Sequence, residues 1–144
     1  MFGRALIGAV AVVMAGQADA RVVYQEGQVW EYRTRPEDTG SLLRIQRIEA
    51  NPAFAKYGPI YHISVIGVHF KDAALSGDLA HLPVSRDTLD ASATRLSSAS
   101  VTFPDAKPGI AEWRSAQGGV FTIPLAEIIS SVEQMFRQPS GKQK

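Results

Sequence analysis

The spacing of the apolar residues changes halfway along the chain, and this change restricts the folds that the chain can adopt. In the N-terminal half, Trp30, Tyr32 and Thr34 fall on one face of an extended chain with charged residues between them, the alternation of a half-buried strand. In the C-terminal half, apolar residues recur at helical spacing. The longest helical stripe consists of Leu125, Ile128, Ile129, Val132, Met135 and Phe136. Strands followed by helices predict an α+β fold.

The predicted architecture is an antiparallel sheet of about three to four strands, from the N-terminal half, with two to three helices packed on one face, from the C-terminal half. A turn-forming run at 35–40 predicts that residues 28–48 form a hairpin. The other predicted elements are a strand over 61–70 and helices over 86–97, over 108–116 and from 124 onwards. On the second strand, the pattern places Leu43 and Ile45 on one face and Leu42, Arg44, Gln46 and Ile48 on the other.

The first twenty residues have the three parts of a cleavable signal peptide. Arg4 supplies a positive start, an uncharged apolar run follows over 5–15, and Ala18 and Ala20 provide small residues at the cleavage site. The apolar run is about half as long as a membrane-spanning helix. We therefore expect cleavage after Ala20 and no stable membrane insertion afterwards. The alternative is a signal anchor that stays uncut.

This division gives a signal peptide at 1–20, a single α+β domain at 21–137 and a flexible basic tail at 138–144. No cysteine follows the apolar run, so lipid attachment at a cysteine is excluded. We expect the protein to lie in the periplasm or to be secreted.

Two features of the composition limit the function of the exported chain. The sequence has no cysteine, which removes disulfides, thiolate metal ligands and thiol nucleophiles. The formal net charge is +1, and it stays so after cleavage because the signal peptide contains one base and one acid, Arg4 and Asp19. A charge so close to zero gives no general attraction to nucleic acid, and we expect none as a partner.

The three histidines do not follow a metal-binding pattern. Seven residues separate His62 from His69, so in one extended strand their side chains point to opposite faces. His81, beyond Gly77, is predicted to lie in a loop. No H-x-x-x-H or H-x-H pair occurs. We predict no metal site and no cofactor.

One short segment is a candidate binding site. His81, Ser85 and Arg86 lie where the chain is predicted to enter a helix, and the free N–H groups of a helix N-terminus favour an anion or a carboxylate. The alternative is a helix that Ser85 caps without any ligand. For catalysis, the sequence contains no G-x-S-x-G, S-x-x-K or H-E-x-x-H motif and assigns no catalytic residue.

Four stretches together resemble a group of small bacterial proteins that carry a domain of unknown function. They are Gly27–Pro36, Tyr61–Val65, Leu82–Ser85 and Gly119–Pro124. The resemblance covers most of the exported chain. It implies a shared domain and a Gram-negative source, and it transfers no catalytic or binding residue.

Three functions are compatible with the sequence. The absence of catalytic motifs favours a non-enzymatic binding or interaction domain of the cell envelope, with another exported protein or peptide as its partner. The second is a small periplasmic hydrolase or isomerase, with a site assembled from distant residues such as His62, Ser64 or Asp90. The third is an accessory domain of an envelope assembly, in which an exposed sheet edge accepts a strand from a partner.

Overall fold

A computed structural model describes residues 21–137. The predicted signal peptide at 1–20 and the predicted tail at 138–144 lie outside the described residues. Within the described part, none of the helices has the length and apolar character that crossing a membrane requires.

Five antiparallel strands form one sheet in the order β4-β3-β2-β1-β5. The strands are β1 (Val29–Tyr32), β2 (Leu42–Glu49), β3 (Ile60–Ile66), β4 (Leu79–Val84) and β5 (Ala93–Leu96). The helices are α1 (Arg86–Ser92), α2 (Lys107–Ala116) and α3 (Leu125–Arg137), with short 3-10 helices at Pro36–Asp38 and Pro52–Tyr57. The predicted α+β class is confirmed, and the sheet has one strand more than the upper end of the predicted range.

The predicted hairpin forms, with one irregularity. Strands β1 and β2 pair so that Trp30 lies opposite Leu43. A β-bulge between Ile45 and Arg47 then adds a residue to β2 and reverses the alternation beyond it. Ile48 therefore packs against the main core, and the prediction that it shares a face with Leu42 is wrong.

The strand predicted over 61–70 is shorter than expected, and an additional strand follows it. Strand β3 ends at Ile66 because Gly67 adopts a positive φ of 79°. His81 lies in β4 and not in a loop, so that prediction is wrong. Pro83 obscured this strand in the sequence, but β4 lies at the edge of the sheet, where a proline is tolerated.

The helix predicted over 86–97 is also wrong in its second half. Helix α1 ends at Ser92, and Ala93 is already extended, with φ −67° and ψ 134°. Residues 93–96 instead form β5, which pairs with β1 and places Trp30 opposite Leu96. Backbone pairing with a neighbouring strand has overridden the local helical spacing.

The main core lies between one face of the sheet and two helices. Its fully buried members include Leu43, Ile45, Ile63 and Val65 from the sheet, Leu89 from α1, and Leu125, Ile128 and Ile129 from α3. The apolar stripe of α3 extends past this core, since the side chains of Met135 and Phe136 are exposed.

A buried ion cluster ties the last turns of α3 to the loop after β3. The guanidinium of Arg35 lies 2.6 Å from Oδ2 of Asp38 and 2.7 Å from Oε1 of Glu133. Each carboxylate also accepts a backbone N–H at 2.7 Å, from His69 and from Lys71 respectively. These bonds hold the pKa of Glu133 below its usual value and raise that of Arg35. The cluster is therefore charged and internally paired.

The opposite face of the sheet is more polar and is covered by α2. His62 and Ser64 alternate along β3 with the core residues and are fully buried. The ring of Trp113 on α2 meets His62 edge-on, with centroids 5.0 Å apart. Helices α1 and α3 therefore pack on one face of the sheet, and two is the lower of the helix numbers predicted for that face. Helix α2 lies on the other face.

Candidate functional site

A half-open pocket of about 550 Å³ lies between the 3-10 helix Pro52–Tyr57 and the end of α2. We call it the Phe54–Trp113 pocket, after the two rings that form its apolar wall. Their centroids are 6.1 Å apart and their planes are 28° from parallel. The lining consists of Asn51, Ala53, Phe54, Trp113, Arg114, Gln117 and Gly118. Aromatic walls with a few polar groups are typical of small-ligand sites.

Local capping fixes the first side of this pocket. The side chain of Asn51 accepts a hydrogen bond of 2.9 Å from the backbone N–H of Ala53 and so starts the 3-10 helix. Gly58, with a φ of 78°, ends it. Phe54 is therefore carried on a short segment that is held at both ends.

The end of α2 fixes the second side. Gln117 adopts a left-handed conformation that terminates the helix. The indole Nε1 of Trp113 then donates a hydrogen bond of 2.8 Å to the carbonyl of Gly119. A Cβ at Gly118 would lie 2.4 Å from the Trp113 ring, so only glycine allows the backbone to pass this close to the indole. The ring is thus held in one orientation.

Arg114 is the one charged residue in the lining, and it is anchored from behind. Its Nη2 donates to Oε1 of Glu49, the last residue of β2, and the two side chains form an ion pair. Burial acts to raise the pKa of Glu49, but its bonds to Arg114 and His62 outweigh this effect and hold the pKa below its usual value. The pair is therefore ionised at neutral pH.

A chain of hydrogen bonds continues from Glu49 into the sheet. Nε2 of His62 lies 3.2 Å from Oε1 of Glu49, and Nδ1 of His62 lies 2.8 Å from Nε2 of His81. Burial lowers the pKa of His62, and burial together with His62 lowers that of His81 to about 4. Both imidazoles are thus neutral at pH 7, and Glu49 accepts a hydrogen bond from Nε2–H of His62.

This chain resembles a proton relay but ends without a nucleophile. His62 is fully buried, and the pocket lining has no serine, threonine or cysteine. The hydroxyl of Ser64 donates to the carbonyl of Ala80 at 2.7 Å and accepts from Gln46 at 3.0 Å. A hydroxyl with both of these roles filled is a structural group.

Asp90, the third residue considered for a catalytic site, lies on the other side of the sheet. Its Oδ1 accepts a hydrogen bond of 2.7 Å from the hydroxyl of Tyr24, which belongs to the main core. This bond raises the pKa of Tyr24 further than burial alone does. The structure therefore does not bring Asp90 together with His62 and Ser64.

The candidate binding residues His81, Ser85 and Arg86 have separate partners in the structure. His81 stacks on His62 under α2. Ser85 caps α1 by accepting a hydrogen bond of 3.4 Å from the N–H of Thr88, and this helix has only seven residues. Arg86 pairs with Asp90 and lies over the ring of Tyr24, 4.9 Å from its centroid. Only His81 is connected to the Phe54–Trp113 pocket, through His62 and Glu49.

Sequence reasoning missed the residues that form the pocket. Glu49 and Arg114 are 65 positions apart, so no local motif links them. One signal was present: the helix predicted over 108–116 includes Trp113. Within residues 21–137, no group of three or more histidine or acidic side chains is arranged to hold a metal ion.

Comparisons with protein-family models, with curated proteins and with solved structures find nothing that matches this chain. The function proposed below therefore depends on the geometry of the pocket.

Proposed function

We propose that the protein is an exported, non-enzymatic binding domain of the bacterial cell envelope that takes its ligand in the Phe54–Trp113 pocket. The observation that supports this proposal most strongly is the parallel arrangement of the two aromatic rings beside an anchored guanidinium. The expected partner is another exported protein or peptide, or a small molecule of the same compartment.

The size and chemistry of the pocket favour binding. Its volume of about 550 Å³ falls within the range of about 300–1,000 Å³ found for small-ligand sites. The indole of Trp113 is held by its hydrogen bond to Gly119, so binding need not order it first. The side-chain amides of Asn51 and Gln117 add polar groups at the rim.

A second candidate is a small hydrolase or isomerase. It is favoured by the hydrogen-bond chain Glu49–His62–His81, which leaves Nδ1 of His81 as an unprotonated base. Against it, the side chains of this chain are largely buried, and Ser64 is bonded to the backbone. Binding without turnover accounts for the same residues, with the chain acting as support for Arg114.

The proposal is tested by following the indole N–H signals in nitrogen-15 NMR spectra of the purified protein. The sequence has two tryptophans, so Trp30 in the core is an internal control for Trp113. The titrants are ring-containing fragments with neutral, anionic and cationic substituents. We expect a saturable shift of the Trp113 signal, an unmoved Trp30 signal and recovery of the fragment chemically unchanged.

A matched pair of variants sharpens this test. Phe54→Ala removes one wall of the pocket, whereas Phe136→Ala removes a phenylalanine that is exposed at the end of α3. The first should weaken binding about two- to tenfold, since an aromatic contact contributes about 0.5–1.5 kcal/mol beyond its buried area, and the second should leave it unchanged. Chemical conversion of a fragment would favour the enzyme, and a Trp113 signal unmoved by every fragment would contradict the binding proposal.

A further inference from the structure

We infer that the Phe54–Trp113 pocket selects a flat apolar group that carries a carboxylate. This inference depends on the proposed binding function and adds the chemical class of the ligand. Its basis is the guanidinium of Arg114, which stands beside two stacked rings in a lining that contains no acidic residue.

Within residues 21–137, most of the hydrogen-bond donors of Arg114 are unused. A guanidinium has five N–H donors in a planar fork. Among residues 21–137, the hydrogen bond through Nη2 to Glu49 is the one that Arg114 makes with its side chain. The side chain is 45% exposed and lines the pocket. A planar carboxylate is the group that such a fork binds best.

Two side chains of the sheet, Glu49 and His62, support Arg114. Glu49 holds the guanidinium, and His62, which is fully buried, holds Glu49 in turn. A side chain that is already positioned loses less conformational entropy when it binds a ligand. Glu49 itself is only 16% exposed and paired, so it does not offer its charge to the pocket. A cationic ligand would meet Arg114 without any free carboxylate to balance it.

The two aromatic rings in the lining limit the shape of the ligand. The indole N–H of Trp113 is committed to the carbonyl of Gly119, so the indole presents ring surface and no donor. The ring of Phe54 lines the same pocket, with its plane 28° from that of the indole. Two ring surfaces beside one cation match a ligand with an aromatic or flat aliphatic body and a carboxylate attached to it.

The test is isothermal titration calorimetry of the purified protein at pH 7 with three probes of one shape. The probes are phenylacetate, phenylacetamide and phenethylamine. We expect phenylacetate to bind about tenfold more tightly than phenylacetamide, since a charge-assisted bidentate contact contributes at least about one factor of ten, and phenethylamine to bind weakest.

Two variants of Arg114 and one control variant test whether Arg114 causes the preference for phenylacetate. Arg114→Gln should remove the preference for phenylacetate, and Arg114→Lys, which keeps the charge but not the fork, should retain part of it. Arg95→Gln changes an exposed arginine on β5 that pairs with Glu31, and it should leave all three affinities unchanged. Circular dichroism at the same temperature verifies that each variant is folded.

Peptide probes distinguish the two sources of such a ligand. An acetylated dipeptide ending in phenylalanine is compared with its C-terminal amide. If the dipeptide with a free C-terminal carboxylate binds more tightly than phenylacetate, this result supports a peptide C-terminus as the source of the ligand. If phenylacetate binds more tightly, the result supports a small carboxylic acid as the source. Equal affinity for phenylacetate and phenylacetamide would overturn the inference and leave the binding function intact. If none of the probes binds, both the inference and the proposed binding function fail.

Discussion

Nδ1 of His62 and Nε2 of His81 lie 2.8 Å apart beneath α2, with their rings stacked at a centroid distance of 5.0 Å. Only one proton fits between these two nitrogens. Because Nε2 of His62 donates to the ionised Glu49, Nδ1 of His62 is the acceptor and His81 is the donor, an assignment made from the hydrogen-bond network. A proton added to Nδ1 of His62 would face the N–H of His81, so His81 would have to change tautomer. Burial also opposes a charge on either ring. Both imidazoles therefore resist protonation in the folded protein.

This arrangement predicts that stability falls as the pH is lowered from about 7 to 5. Burial lowers the pKa of both histidines in the folded protein, that of His81 to about 4, whereas the unfolded value is 6.5. The unfolded state thus binds more protons between these values, and its population grows as pH falls through 6.5. For His81 alone we expect a loss of about 1–2 kcal/mol in the free energy of unfolding, measured by urea denaturation.

One variant separates the contribution of His81 to the pH dependence of stability from the contribution of the carboxylates. The pKa of Glu49 and of Glu133 lies below 4.5 in the folded protein, so their contribution is lost only at lower pH. His81→Gln keeps a hydrogen-bonding side chain but does not titrate, and it should flatten the profile between pH 7 and 5. An equally steep profile in this variant would show that another group is responsible.

Gly109 is predicted to be intolerant of even one added methyl group. A Cβ there would lie 2.6 Å from Cβ of His81, so Gly109→Ala must move α2 away from β4. In an ordinary helix this change stabilises by up to about 1 kcal/mol, but here we expect a loss of about 1–3 kcal/mol. The control is Gly119→Ala, which meets nothing within 4 Å. A stabilised Gly109→Ala protein, in thermal or urea unfolding, would contradict the close packing of α2 on the sheet.

The ion cluster around Arg35 is expected to be essential for stability. Arg35→Met removes the shared partner of Asp38 and Glu133 and leaves two buried carboxylates together. Breaking a buried pair on one side typically destabilises by about 3–5 kcal/mol. Arg95→Met, which breaks an exposed pair with Glu31, should change the free energy of unfolding by less than about 1 kcal/mol. Similar effects for the two variants in urea unfolding would show that the cluster is not specially stabilising.

The parts of the fold that sequence predicted are those with a long, local pattern. The helical spacing of apolar residues from Leu125 to Val132 extends over enough residues to define a helix. The alternation around Trp30 defines a strand in the same way. Strand β5 was missed because the spacing of Leu89, Ala93 and Leu96 also fits a helix, and only pairing with β1 decides against it.

The candidate site was harder to predict because its contacts join distant parts of the chain. Phe54 and Trp113 are in contact, although β3, β4, α1 and β5 separate them along the chain. Glu49 and His62 lie on neighbouring strands, and the bulge in β2 sets which residues of the two strands are opposite each other. A bulge of this kind has no clear signature in a single sequence.

The N-terminus of the mature protein remains a direct prediction from sequence. The small residues at Ala18 and Ala20 predict that signal peptidase cuts after Ala20, so Arg21 becomes the first residue. The check is intact-mass measurement and N-terminal sequencing of protein isolated from the cell envelope. A mature chain that still begins at Met1 would indicate an uncut signal anchor instead.

The central claim, that the Phe54–Trp113 pocket is a binding site, is tested most directly by the fluorescence of Trp113. Trp30→Phe leaves Trp113 as the sole tryptophan, since the sequence has only two. Titrating this variant with phenylacetate should change its emission saturably, with the affinity that calorimetry gives for the unaltered protein. Adding Phe54→Ala should weaken the affinity about two- to tenfold. An emission that stays constant throughout the titration would contradict the claim.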